Sequence, residues 1–495
     1  MEKTTINLHT EFKIAPVDPR IFGGFLEHMG RAVYQGVYEP ESNHSDADGY
    51  RKDVLDQLHR LDMTTIRYPG GNFASGYHWQ DGIGPRDKRP MMRELAWQSI
   101  EPNQFGTDEF MRLCKKMEWT PMLTVNLGTG SPEEARNWVE YCNSLTGTRY
   151  ADIRASNGSQ QPYAVPLWCL GNEMDGPWQL GHVPVDQYAI RAQQAAKVMK
   201  DTDKTIELVV CGSSGIGLPS YMEWDRQVLD HMGELVDYIS LHRYVGNPNN
   251  DTLDYLAVTN SIDRQIEEMD AVCRFIQAKH RSKKRAMLCF DEWNVWYKNM
   301  QMDGEAKFAP HLIEEVYNLE DALVVAGFLH SFVRHADVVK IANLAQIVNV
   351  IAPLLTRENE VLIQSIFYPF TMFSKRRKGT SLRCSVEGPN YEGATNGRVH
   401  YIDSSAILEE DRLHVFLTNR SVDETADVSI VLANRSIVTC ESAEILTGPE
   451  PKSANSFEDP NVVTTKLFEA IHVDNHQVHC NVPSLSFVAM TFNLK

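Results

Sequence analysis

The chain has 495 residues, 42% hydrophobic and 23% charged, which is the composition of an ordinary globular protein with material for a large core and more than one domain. A formal net charge of −18 argues against a nucleic-acid partner, since a phosphate backbone is bound by clustered Lys and Arg, and the two dense basic runs, 281–285 and 375–378, read as solvated loops. The nine cysteines are scattered without CxxC spacing and read as reduced core residues, the N-terminus lacks an apolar signal segment, and no uncharged run reaches the ~18 apolar residues of a membrane span, so a cytoplasmic protein without membrane contact is expected.

In chain order, residues 1–15 alternate in polarity (Ile6, Leu8, then Phe12, Ile14). From about 20 to 345, strand-like runs alternate with helical patterns, the signature of βα repeats around a parallel sheet. Eight strands are expected, at 21–26, 64–68, 122–125, 167–170, 208–211, 238–241, 286–290 and 338–344. Between them lie helices such as 185–199, whose apolar stripe runs through Val185, Tyr188, Ala189, Ala192, Ala195, Ala196 and Met199, and 107–117, for which Thr107 looks like an N-cap. After 375 the pattern changes to short alternating runs, 413–417 and 486–490 among them, separated by turns. The expected architecture is α/β: a (β/α)8 TIM barrel over 16–375 and an all-β, jelly-roll-like sandwich over 376–495, which residues 1–15 join.

The fourth and seventh strands each end in a glutamate, in Leu170-Gly171-Asn172-Glu173 and Phe290-Asp291-Glu292. Barrel strands deliver their C-terminal tips to one mouth, so Glu173 and Glu292 are expected to share a pocket. Paired carboxylates serve glycoside hydrolysis, in which an ionised Glu292 meets the oxocarbenium-like carbon while Glu173 keeps a proton for the leaving oxygen. Arg67, at the tip of the second strand, would point to the same mouth and keep Glu292 ionised. Tyr244, after the sixth strand, could donate to that carboxylate, and His242 would line the site unless it is a satisfied core residue. Trp296 and Trp97 are candidates to stack on sugar, with Trp178 a weaker one.

The runs Gly171-Asn172-Glu173-Met174-Asp175-Gly176-Pro177-Trp178-Gln179 and Phe290-Asp291-Glu292-Trp293-Asn294-Val295-Trp296-Tyr297 resemble the acid/base and nucleophile motifs of the glycoside hydrolase family 51 α-L-arabinofuranosidases. Phe25-Leu26-Glu27-His28-Met29-Gly30-Arg31 and Arg67-Tyr68-Pro69-Gly70-Gly71-Asn72-Phe73 agree with it, in order along the chain. The resemblance implies a retaining, exo-acting enzyme with Glu173 as acid/base and Glu292 as nucleophile, and retention implies carboxyl groups about 5 Å apart against about 6.5–9.5 Å for inversion. It also implies that Glu27, Asn72, Asn172 and Gln346 hold the furanose, with Asn172 on the 2-hydroxyl. Other readings of these residues are a salt bridge from Glu27 to Arg31 and a turn-forming Asn72. The implied partners are arabinofuranosyl oligosaccharides and further copies of the chain, in a hexamer.

No HxH follows the first strand and no HExxH occurs, so no metal and no cofactor are expected. Two rival readings remain: an endo-acting glucanase or xylanase of similar barrel type, and a non-catalytic carbohydrate-binding protein.

Overall fold

The computed structural model describes residues 3–297, 305–474 and 477–495. The first two residues of the N-terminal run read above, Met1 and Glu2, lie outside them. Eight parallel strands close into a barrel in sequence order: β1 (Gly23–Phe25), β2 (Thr65–Tyr68), β3 (Thr120–Val125), β4 (Leu167–Leu170), β5 (Glu207–Cys211), β6 (Tyr238–Val245), β7 (Met287–Val295) and β8 (Val339–Ala345). They read as continuous apolar runs because helices cover the outside and side chains fill the inside, leaving neither face wet.

Two strands run past their expected ends, β6 to Val245 and β7 to Val295. Glu292 therefore lies within a strand and not at its tip. The polar residues that suggested a strand end are accommodated by irregular pairing: the β6–β7 register shifts between Ser240 and His242, and the β7–β8 register between Phe290 and Trp293. Such bulges re-aim side chains.

The helix Val185–Thr202 buries the expected stripe from Tyr188 to Met199 against the barrel. The helix Thr107–Met117 corrects one expectation, because Gly106 is its N-cap and Thr107 its first helical residue. Glu109 accepts the Gly106 N–H (2.9 Å), and the Thr107 hydroxyl accepts from the Trp138 indole (3.1 Å). A side chain at Gly106 would meet the Gly82 carbonyl, which explains the glycine there.

The C-terminal part is a sandwich of a five-stranded and a seven-stranded sheet. Ile6, Leu8, Val428 and Ile430 of one sheet share a core with Leu413, Val415, Val488 and Met490 of the other. The N-terminal strands enter both sheets: Thr4–Leu8 runs parallel to Ala426–Leu432, and Lys13–Pro16 antiparallel to Thr380–Leu382 with Pro16 opposite Thr380. The sandwich is fastened to the barrel by Phe373, whose ring stacks on Phe416 (4.0 Å between centroids) and Phe487 (5.2 Å). Beside it the buried His330 bridges the Ser405 and Thr418 hydroxyls (2.8 and 3.1 Å), and burial pushes its imidazole down to about 3, so it stays neutral. Among the described residues no helix is long and apolar enough to cross a membrane.

Candidate active site

A cavity of about 460 Å³ opens at the C-terminal mouth of the barrel. Its wall includes Glu27, Asn72, Trp97, Glu173, Tyr244, Glu292, Trp296 and Gln346. Arg67, Asn172 and His242 are buried, and each contacts a residue of that wall. These eleven residues, each singled out from the sequence, are thus gathered at one place, and Trp178 stands in the same wall.

Arg67 is the hub. Its Nη1 donates to Glu292 Oε1 (2.7 Å), its Nη2 to Asn172 Oδ1 (2.7 Å), and its Nε stands 3.2 Å from Asp291 Oδ2. Its guanidinium also lies 4.8 Å from the Phe25 ring centre. Burial works against the charge, and the Asp291 and Glu292 carboxylates outweigh it. Asn172 passes the orientation on, donating to Asn72 Oδ1 (3.2 Å).

Glu292 also accepts from the Tyr244 hydroxyl (2.9 Å), the contact expected from the sequence. Burial and the Glu173 and Asp291 charges push its carboxyl above its ordinary value, a rise that His242 and Arg67 oppose. Glu173 follows β4 in a left-handed backbone conformation (φ 44°), which is costly for a residue with a side chain and is found at functional turns. Its Oε1 lies 2.9 Å from His242 Nδ1, and its Oε2 accepts from the Trp178 indole (2.6 Å). One oxygen of each glutamate and a ring nitrogen of His242 lie within 4.8 Å of one another.

That trio has the composition of a three-ligand cation site. Burial disfavours the imidazolium, but Glu292 and Asp291 hold His242 well above its ordinary value. Its Nδ1 is therefore placed to give a proton to Glu173.

Glu27, at the end of β1, faces the other wall. It accepts from the Phe73 N–H (3.0 Å) and the Trp97 indole (3.0 Å), and Gln346 brackets it, accepting the Glu27 N–H at 2.9 Å. Its carboxyl is pushed up to about 8 by burial and the nearby Glu292 charge, against the pull of those donors. Arg31 instead pairs with Glu314 (2.8 Å), which removes the salt-bridge reading of Glu27. Gly70 and Gly71 let the chain pass here, since a Cβ on Gly71 would lie 3.0 Å from Glu27 and 3.1 Å from Glu292.

Two details were missed in the sequence. Trp178, ranked lowest of the tryptophans, is the one that donates to Glu173. Asp291 stands in the sequence only as the residue before Glu292, yet it is 1% exposed and points into the barrel. Its signal was the Asp-Glu pair itself, since two consecutive inward carboxylates require a broken strand alternation.

The profile of the α-L-arabinofuranosidase C-terminal domain matches residues 291–486, and that of α-L-arabinofuranosidase domain 1 matches residues 57–264. An intracellular exo-α-(1→5)-L-arabinofuranosidase of Bacillus subtilis is 45% identical over 94% of this chain and 94% of its own. The chain belongs to glycoside hydrolase family 51. An exo-α-(1→6)-L-arabinofuranosidase of Bifidobacterium longum is 38% identical over 99% of this chain and 97% of its own. A solved family 51 α-L-arabinofuranosidase, also from Bifidobacterium longum, superposes with a TM-score of 0.96 over all of both chains at 34% identity. Barrel and sandwich are thus the family 51 fold.

Proposed function

We propose that the protein hydrolyses terminal, non-reducing α-L-arabinofuranosyl residues by double displacement with retention. The observation that carries this reading is the separation of Glu173 and Glu292, one oxygen of each within 4.8 Å of the other, which suits the ~5 Å of a retaining pair better than the ~6.5–9.5 Å of an inverting one.

Glu292, held ionised by Arg67 and Tyr244, attacks the anomeric carbon while Glu173 gives its proton to the leaving oxygen. Once Glu292 is esterified its charge is gone, and Glu173 takes a proton from the water that completes hydrolysis. Glu27, Gln346, Asn72 and Asn172 hold the furanose hydroxyls, with Asn172 on the 2-hydroxyl, where hydrogen bonding strengthens at the transition state. Trp97 and Trp296 supply apolar walls.

The substrate we favour is a short α-(1→5)-linked arabino-oligosaccharide met inside the cell, in keeping with the name of the Bacillus relative. The reading further divides the chain into a catalytic barrel (16–375) and a sandwich (1–15 plus 376–495), and places it in a homo-oligomer, a hexamer, for sedimentation equilibrium to test. Incubation with linear arabino-oligosaccharides tests the activity: free arabinose appearing with chains shortened one unit at a time supports it. Cleavage of internal β-glucan or xylan bonds without arabinose would favour the endo-acting alternative, and binding without turnover the carbohydrate-binding one.

A further inference from the structure

A regular strand offers the barrel interior every second side chain, yet β7 turns both Asp291 and Glu292 inward through its irregular pairing with β6 and β8. The two carboxylates divide one guanidinium between them, Arg67 donating Nη1 to Glu292 while its Nε stands 3.2 Å from Asp291 as an ion pair. Asp291 Oδ1 lies 3.4 Å from His242 Nε2, on the side of the ring away from Glu173, and accepts the Ser240 hydroxyl. Asp291 is 1% exposed, and its carboxylate is taken up by Arg67, His242 and Ser240 behind the cavity wall.

Resting on the function proposed above, we propose that Asp291 is a positioning residue: the buried counter-charge beneath Arg67 and His242 that holds both as cations against the glutamate pair. Two cations, Arg67 and His242, face two anions, Asp291 and Glu292, which leaves Glu173 free to exchange a proton without unbalancing the site. With Asp291 neutral, a fully buried imidazolium and guanidinium would share one carboxylate, and the imidazole is the group able to shed its proton. His242 would then lose the Nδ1 proton that it directs at Glu173 Oε1. The charged and titratable groups facing His242 are Glu173 and Asp175 after β4 and Asp291 and Glu292 on β7, while neutral Ser213 and Gln265 meet its backbone.

The test uses the whole enzyme with 15N-labelled histidine. In the wild type the His242 ring should be an imidazolium at pH 7, and in Asp291→Asn its titration should move to lower pH. kcat/KM on 4-nitrophenyl α-L-arabinofuranoside should fall about 10- to 100-fold, with the alkaline limb moving to lower pH by the same amount. A loss of Tm with an unchanged His242 titration and pH profile would overturn the proposal, because that is what a merely structural role produces. Should Asp291→Asn fail to fold, the wild-type spectrum decides: a neutral His242 at pH 7 overturns the proposal and an imidazolium supports it. The spectra need no substrate, so a wild type inactive on the arabinofuranoside would count against the proposed function and not against the role of Asp291.

Discussion

Replacing Glu27 by Gln separates two roles that one side chain combines. The folded protein holds the Glu27 proton up to about pH 8, whereas an exposed carboxyl releases it near 4.5. Between these values the native state binds a proton that the unfolded chain has lost, so stability falls as pH rises through the window and is level on either side. At about 1.4 kcal/mol per pH unit the interval corresponds to roughly 4–5 kcal/mol. Gln cannot ionise, so urea titrations of Glu27→Gln should show stability gaining on the wild type by up to that amount between pH 5 and 8. Below pH 7 both proteins present a neutral group to the sugar, and kcat/KM should drop only about 2- to 10-fold, the worth of one neutral hydrogen bond. A loss beyond 100-fold at pH 6, together with parallel stability profiles, would show that Glu27 is ionised in the native site and refute the reasoning.

Arg67→Met should cost about 3–5 kcal/mol in chemical denaturation, because it leaves the Asp291 and Glu292 carboxylates buried without their shared cation, and turnover should be lost with it. Gly71→Ala places a methyl group about 3 Å from both Glu27 and Glu292; kcat/KM should fall with little change in Tm, and wild-type kinetics would mean that the loop yields freely. Phe373→Ala should destabilise by about 3–5 kcal/mol and loosen the sandwich from the barrel, detectable as faster proteolysis, while the KM of the remaining folded enzyme stays unchanged.

The eight strands were legible because a parallel barrel buries both faces and writes each strand as an unbroken apolar run. The two glutamates were legible because they interrupt such runs. The N-terminal alternation through Ile6 and Leu8 pointed to a sheet in the same way, and Thr4–Leu8 pairs with Ala426–Leu432. What could not be read depends on spatial neighbours. The bulge that turns Asp291 inward is stabilised by Arg67 on another strand, and the Trp97 indole reaches Glu27 from a loop 70 residues away. Helix periodicity located the 107–117 stripe but favoured Thr107 as the cap, whereas the close approach of Gly82 reserves the cap for Gly106.

The assignment of Glu173 as acid/base and Glu292 as nucleophile is tested most directly by azide rescue of the two alanine variants on 4-nitrophenyl α-L-arabinofuranoside, with the product configuration read by NMR. Glu173→Ala, which still forms the glycosyl-enzyme, should be rescued to the α-configured arabinosyl azide, and Glu292→Ala, attacked directly, to the β-configured one. The opposite pairing would exchange the two roles, and full activity of Glu292→Ala without azide would remove it as the nucleophile.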